Sequence, residues 1–213
     1  LLNQLLNASN KTHTHLDWHS PHSWLGKPPF FMATLNGKAV AAMAAPPDPA
    51  DTAWIRLATL SHEINLQEAF DPMWQPTLSA LRDLNVKQIT GMLLGEWFLP
   101  QLKRWDFKQI NDVVVLSRPL QYDLMAQPML NGLKIRSARA SDLEAINKVD
   151  AAFVAPWRYS KDTLLKAMGH VDFSSVAELD GEIVGYQISS GGHGGGHLAR
   201  LAVSPKCQGQ GIG

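Results

Sequence analysis

The chain repeats itself. LNGKAVAA at Leu35–Ala42 resembles LDGEIVGY at Leu179–Tyr186, and IRLATLS at Ile55–Ser61 resembles ARLAVSP at Ala199–Pro205. Both pairs lie 144 residues apart, counted from Leu35 to Leu179 and from Arg56 to Arg200. One short match can arise by chance; a shared spacing across two strand-like segments is much harder to obtain that way. The sequence therefore predicts two halves of like topology.

Local patterns agree. In each half an apolar run leads into Asn36-Gly37 or Asp180-Gly181 and then into a second apolar run. Those residue types tolerate the positive φ of a tight turn, so FFMATLNGKAVAAMAA and SVAELDGEIVGYQISS read as antiparallel hairpins. The next strand in each half carries Arg-Leu-Ala. In the first half, PMWQPTLSALRDLN predicts a helix with Trp74, Leu78, Leu81 and Leu84 on one face. VKQITGMLL predicts a strand, EWFLPQLKRWDF a helix interrupted by Pro100, and DVVVLSRPL another strand. The second half opens with the strand LKIRSAR. A helix follows, capped by Ser141 with Glu144 completing a capping box, and then the helix SKDTLLKAMG. QYDLMAQPMLNG, with Pro128 and Gly132, reads as a linker. The expected division is 1–120, a linker over 121–132, and 133–213.

Composition narrows the class. Of 213 residues, 45% are hydrophobic and 18% charged, as in a soluble globular protein. Basic and acidic residues number 19 each, and no Lys/Arg run exceeds two, so no nucleic-acid surface is signalled. Apolar stretches such as Val40–Ala45 are too short to cross a bilayer, so no membrane partner is expected. The opening LLNQLLNASNKTH lacks a basic n-region and a long apolar core, so it is not read as a signal peptide, and it lacks an initiator Met. Cys207 is the single cysteine, which excludes an intrachain disulfide. A cytoplasmic location is expected, and a homodimer is left open.

The chemistry lies in SPKCQGQGIG, Ser204–Gly213. A strand ends at Val203, Pro205 breaks it, and glycines alternate at Gly209, Gly211 and Gly213. Such spacing lets successive N–H groups turn to one side and cradle an anion, and a pyrophosphate suits it. A Walker loop would need Gly-Lys-Ser/Thr, which is absent. A dinucleotide-binding Gly-x-Gly-x-x-Gly would need glycine at a position beyond 213 and would follow the first strand of a parallel unit. Leu-Ala-Val-x-Pro followed by Gln-x-x-Gly-x-Gly, after a strand, two helices and an antiparallel hairpin, resembles the GCN5-related N-acetyltransferase (GNAT) family over 133–213.

That resemblance implies an α/β (α+β) fold of two GNAT-like domains, each a mixed, mainly antiparallel sheet flanked by helices. It implies acetyl-CoA as co-substrate, no metal, and a small-molecule or peptide amine as acceptor. Leu201, Ala202 and Val203 would bind the pantetheine arm through their backbone. Gln208, Gly209, Gln210, Gly211, Ile212 and Gly213 would wrap the pyrophosphate. An N–H near Leu201 or Ala202 would polarise the thioester carbonyl. The alternative is a non-catalytic CoA-sensing or interaction protein on the same scaffold. Family members continue beyond this loop with a helix, strand, helix and strand, commonly carrying a tyrosine that protonates the leaving thiolate. The repeat sets that continuation at about 50 residues. The second domain is thus expected to be truncated after the loop, and the 213-residue piece to bind CoA weakly or not at all.

The first half departs from the pattern. After RLATLS comes HEINLQEAFDP, with Glu63, Glu68 and Asp71 and no glycine between Gly37 and Gly91. Acidic side chains without a backbone nest argue against phosphate binding. This half reads as a degenerate domain that kept its fold and lost its cofactor.

Three further features admit a functional reading. GGHGGGH, Gly191–His197, could form an esterase oxyanion hole, but no Gly-x-Ser-x-Gly elbow exists to use it. His193 and His197 could bind metal, yet no third ligand lies near in sequence; a loop joining two strands is the simpler reading. His197, at the start of the cofactor strand, is also a candidate general base, since an imidazole titrates near about 6.5; Glu178 is a weaker one. Cys207 reads as a small apolar filler, because no Cys-His-Asp spacing supports a nucleophile. Six of the seven tryptophans fall in the first half and read as core.

Overall fold

The computed structural model describes residues 1–16, 18–119, 130–192 and 195–213. His193 and residues 121–129 of the expected linker lie outside them. The chain divides into two compact units, Leu1–Phe107 and Lys108–Gly213.

The first unit runs α1 (Leu2–Ala8), β1 (Lys11–Thr14), β2 (Phe30–Leu35), β3 (Lys38–Ala44), β4 (Thr52–Trp54), β5 (Leu57–Leu60), α2 (Leu66–Asp83), β6 (Gln88–Thr90) and α3 (Leu99–Arg104). An antiparallel sheet has the order β1-β5-β3-β2, and β4 pairs in parallel with β6. The β2–β3 turn uses Asn36 (φ 51°) and Gly37 (φ 77°), the two left-handed residues a two-residue hairpin needs.

β3 is buried on both faces, which explains its unbroken run of small apolar residues. Ala41 and Met43 join Ile55, Phe70, Met73, Phe98 and Leu102 on one side. Ala42 and Ala44 join Leu2, Leu5, Trp24 and Leu57 on the other. Burial of a side chain such as Phe70 contributes about 1.5–3 kcal/mol.

α2 begins earlier than the predicted helix and buries Ala69, Phe70, Met73, Thr77 and Leu81; of the predicted face Leu81 is buried, while Leu84 is exposed. Pro72 and Pro76 lie inside it; the predicted helix starts at Pro72 and so omits the first six residues, Leu66–Asp71. Trp74 instead stacks on Trp105, with ring centroids 4.2 Å apart and planes 4° from parallel. Asp71 ties α2 to the α3 region by accepting from Gln101 Nε2 (2.6 Å), Arg104 Nε (3.0 Å) and Trp105 Nε1 (3.3 Å). The strand expected over DVVVLSRPL is not formed by its described residues, 112–119. Residues 108–119 have no regular structure, and Val114, Val115 and Leu116 are largely exposed. Its β-branched run supplies propensity, but a strand requires a ladder partner.

The second unit runs β7 (Leu133–Ser137), α4 (Leu143–Asp150), α5 (Lys161–His170), β8 (Phe173–Leu179), β9 (Glu182–Gly192) and β10 (Gly195–Val203), its sheet ordered β10-β9-β8-β7. The β8–β9 turn again uses two left-handed residues, Asp180 (φ 50°) and Gly181 (φ 84°). The start of α4 differs from the sequence reading. Asp142, not Ser141, is its N-cap; its carboxylate accepts the Arg139 N–H (2.8 Å), and Glu144 pairs with Lys161. α5 is capped by Ser160 Oγ, which accepts from the Thr163 N–H (3.2 Å).

The hairpins of the two units correspond down to a shared irregularity, at Ala33/Thr34 and at Ala177/Glu178, 144 residues apart. The next strand does not keep that spacing. Ala42 faces Thr59, whereas Tyr186, its counterpart, faces Ala202, an offset of 143. The β3-to-β5 connection carries one residue more than the β9-to-β10 connection. The two Arg-Leu-Ala triplets therefore match in letters but not in place: Ala58 corresponds to Leu201, and Leu60 to Val203.

Candidate functional site

β10 is an edge strand, and alternation decides which of its backbone groups are used. The Ser204 N–H donates to the Val184 carbonyl across the sheet (2.7 Å), and Ala202 sits opposite Tyr186 in the same register. The main-chain groups of Ala202 therefore face β9, and those of Leu201 and Val203 face outward. Of the two amides the sequence offers for polarising a thioester, only Leu201's points away from the sheet.

Beyond β10, Pro205–Cys207 makes a short 3-10 turn, closed by the Cys207 N–H on the Ser204 carbonyl (2.8 Å). The Gln208 side chain reaches back, its Nε2 donating to the outward carbonyl of Val203 (3.0 Å). It thus fastens the loop to the strand. Gly209 (φ 77°) and Gly211 (φ 75°) are left-handed, and a Cβ on either would meet nothing within 4 Å. Glycine is required there by the backbone angle, and the space beside these amides is open to an anion. Gly213 lies against the side chains of Val203 and Leu201.

Strand end and loop together line a cleft of about 410 Å³. Leu201, Ala202, Val203, Gln208, Gly209, Gly211, Ile212 and Gly213 all border it, and Cys207 joins them; Gln210 does not. His197 is outside the cleft, exposed near the far end of β10 and opposite Ser190. Glu178 is committed elsewhere. It accepts from Arg136 Nε (3.0 Å), while Arg136 also holds Asp142 with two bonds (2.7 and 3.1 Å). The guanidinium keeps the Asp142 carboxyl below the usual carboxylate range. Among the described residues, no cluster of three or more His, Cys, Asp or Glu could hold a metal ion. No helix among them is long and apolar enough to cross a membrane.

Three residues to which the sequence assigned no role stand directly beneath this edge. Arg200 is 8% exposed and Asp150 fully buried. Arg200 Nε donates to Asp150 Oδ1 (2.7 Å) and to Tyr186 Oη (2.9 Å), and Nη2 donates to the Trp157 carbonyl (2.8 Å). The Tyr186 hydroxyl donates to Asp150, which also accepts the Tyr159 N–H (2.9 Å). Burial pushes the Tyr186 phenol well above its ordinary range, so it stays protonated. The guanidinium carbon lies 3.9 Å from the Phe153 ring centroid and 3.7 Å from that of Tyr159. The network pins the α4–α5 connection to the residue preceding Leu201. Its sequence signal was Arg200 itself, a charge inside the otherwise apolar run Leu198–Val203.

Residues 143–213 match the family described as acetyltransferase (GNAT). Over 80 residues the chain is 38% identical to an uncharacterized N-acetyltransferase of Methanocaldococcus jannaschii, a match covering 37% of this chain and 51% of that protein. The chain thus spans about half the length of the curated relative it matches. Its fold is similar to that of a tandem GNAT protein from the clavulanic acid biosynthesis pathway (TM-score 0.55, 14% identity, 88% of this chain and 68% of that one). It is also similar to a GCN5-related N-acetyltransferase from Sphaerobacter thermophilus (TM-score 0.50, 15% identity, 83% of this chain and 61% of that one). The alternating glycines, the antiparallel meander before them and the family match converge on the second unit: residues 143–213 are similar to the acetyltransferase (GNAT) family, and the fold over most of the chain is like that of a tandem GNAT protein.

Proposed function

We propose that the second unit carries acyl transfer from acetyl-CoA, or another acyl-CoA, to an amine. The observation that carries this reading is the meeting, in one cleft, of the outward backbone of Leu201 and Val203 with the left-handed glycines 209 and 211. The strand edge offers main-chain hydrogen bonds to the amides of a pantetheine arm, as it would to an added strand. The loop offers N–H groups to the pyrophosphate oxygens. The thioester supplies an activated acyl carbon. The Leu201 N–H is oriented to stabilise the oxyanion that forms there when an amine attacks. The C–N bond forms and the C–S bond breaks; the thiolate departs with the electron pair, and the proton it gains balances the one the amine loses. The acceptor is a small-molecule or peptide amine. The first unit supplies no cofactor site in this reading.

Thiol release tests it. The full-length protein is incubated with acetyl-CoA and a panel of amines covering polyamines, amino acids and peptide N-termini. An amine-dependent rise in free thiol is expected. Binding of CoA without turnover on any amine would favour a CoA-sensing protein instead.

A further inference from the structure

The two units differ in where their leading strand goes. In the second, β7 pairs with β8 and leaves β10 as an edge. In the first, β1 crosses to the opposite side and pairs with β5, the counterpart of β10. The register sets Lys11 against Leu60 and His13 against Ala58. These are the positions that correspond to Val203 and Leu201.

We propose that β1 is a resident occupant of the first unit's cofactor position, an internal strand seated where the second unit leaves room for the pantetheine arm. The proposal rests on the reading of the second unit given above, and it explains the degenerate half by occupancy as well as by lost glycines. Buried backbone N–H and C=O groups must be paired. In the first unit the chain does this itself. The Ser61 N–H donates to the Val40 carbonyl (2.8 Å), so alternation turns Ala58 and Leu60 toward β1. The His15 N–H donates to the Arg56 carbonyl on that same side (3.0 Å).

Side chains lock the seat. Thr12 Oγ1 and Thr59 Oγ1 are 2.8 Å apart. His13, 4% exposed, donates through Nε2 to the Ile55 carbonyl (3.1 Å). α1, just upstream, buries Leu2 and Leu5 in the core beside Leu57. The phosphate end is closed by the same means. Where the second unit has its glycine loop, Ser61 Oγ accepts the Glu63 N–H (3.2 Å) and Asn65 Oδ1 accepts the Glu68 N–H (2.9 Å). Amides that could face an anion are thus held by local side chains, beside two carboxylates. Strand edge and loop are both satisfied from within.

Residue-resolved amide exchange on the full-length protein tests this. Without ligand, Ala58 and Leu60 are expected to exchange at least about 100-fold more slowly than Leu201 and Val203, the factor that corresponds to roughly 2.7 kcal/mol of protection. Millimolar CoA should slow Leu201 and Val203 and leave Lys11, His13 and His15 unchanged. His13→Pro removes a ladder N–H and should free Ala58 and Leu60 while Leu57 and Thr59, which face β3, stay protected. Ala58 and Leu60 exchanging as fast as Leu201 and Val203 in the wild type would overturn the proposal. So would release of the His13 and His15 amides on adding CoA. If CoA leaves Leu201 and Val203 unprotected while Ala58 and Leu60 remain slow, the reading of the second unit fails and the seat of β1 stands.

Discussion

Gly211→Asp in the full-length protein is expected to lower the affinity for coenzyme A proposed above by about 100-fold or more, with the fold intact. Two costs add. Gly211 has a φ of 75°, a region that L-residues adopt at a penalty of roughly 1–2 kcal/mol. Aspartate is among the side chains that tolerate it best, so strain is the smaller part. The carboxylate enters the space where the pyrophosphate would lie. Like charges about 4 Å apart repel by about 4 kcal/mol at an effective dielectric near 20. Gly211→Ala separates the two, since it brings strain without charge and should cost only about 10-fold. Calorimetric titration with CoA measures both variants, and circular dichroism checks the fold. The loop is exposed and a Cβ at this position meets nothing within 4 Å, so any loss of stability should stay within that backbone strain of about 1–2 kcal/mol. Equal affinity in wild type and Gly211→Asp would mean that another surface holds the nucleotide.

Arg200→Ala should be among the most destabilising single changes in the second unit, costing about 3–5 kcal/mol. Among the described residues, the change leaves the fully buried Asp150 carboxylate with the Tyr186 hydroxyl and the Tyr159 amide to satisfy it. It also empties the slot between the Phe153 and Tyr159 rings. Natural domains have only about 5–15 kcal/mol in hand, so the unit should approach global unfolding at physiological temperature. Asp150→Asn in the Arg200→Ala background should recover part of the loss by removing the stranded charge. Arg200→Lys keeps charge but forfeits the planar bonds to Asp150 and the Trp157 carbonyl, and should fall between. Thermal and urea unfolding give the values. An Arg200→Ala protein within about 1 kcal/mol of wild type would show that the network is not what holds the α4–α5 connection to β10.

What could be read from residues alone followed the range of the interactions involved. Asn36-Gly37 and Asp180-Gly181 encode their turns locally, and both hairpins were legible down to the turn residues. The glycine loop was equally local, and every residue assigned to it except Gln210 borders the cleft. Medium-range features were blurred. Pro72 marked the start of the predicted helix and so disguised the residues of α2 before it, and Val113–Val115 advertised a strand that has no ladder partner among the described residues. Long-range features were invisible. KTHT, Lys11–Thr14, has no apolar alternation to announce a strand, and nothing local says that it pairs with Leu57–Leu60, more than forty residues on. Asp150, Tyr186 and Arg200 meet only because α4 packs beside β9 and β10. The one-residue difference between connections escaped letter matching because both strands contain Arg-Leu-Ala, yet it decides which amides face outward.

The most direct test of the account is a crystal structure of the full-length protein with acetyl-CoA bound. The account predicts a pyrophosphate on the amides of the 208–213 loop, a pantetheine arm along the outward backbone of Leu201 and Val203, and β1 still paired with β5. A nucleotide lodged away from that loop, or one that has displaced Lys11–Thr14 from the first unit, would contradict it.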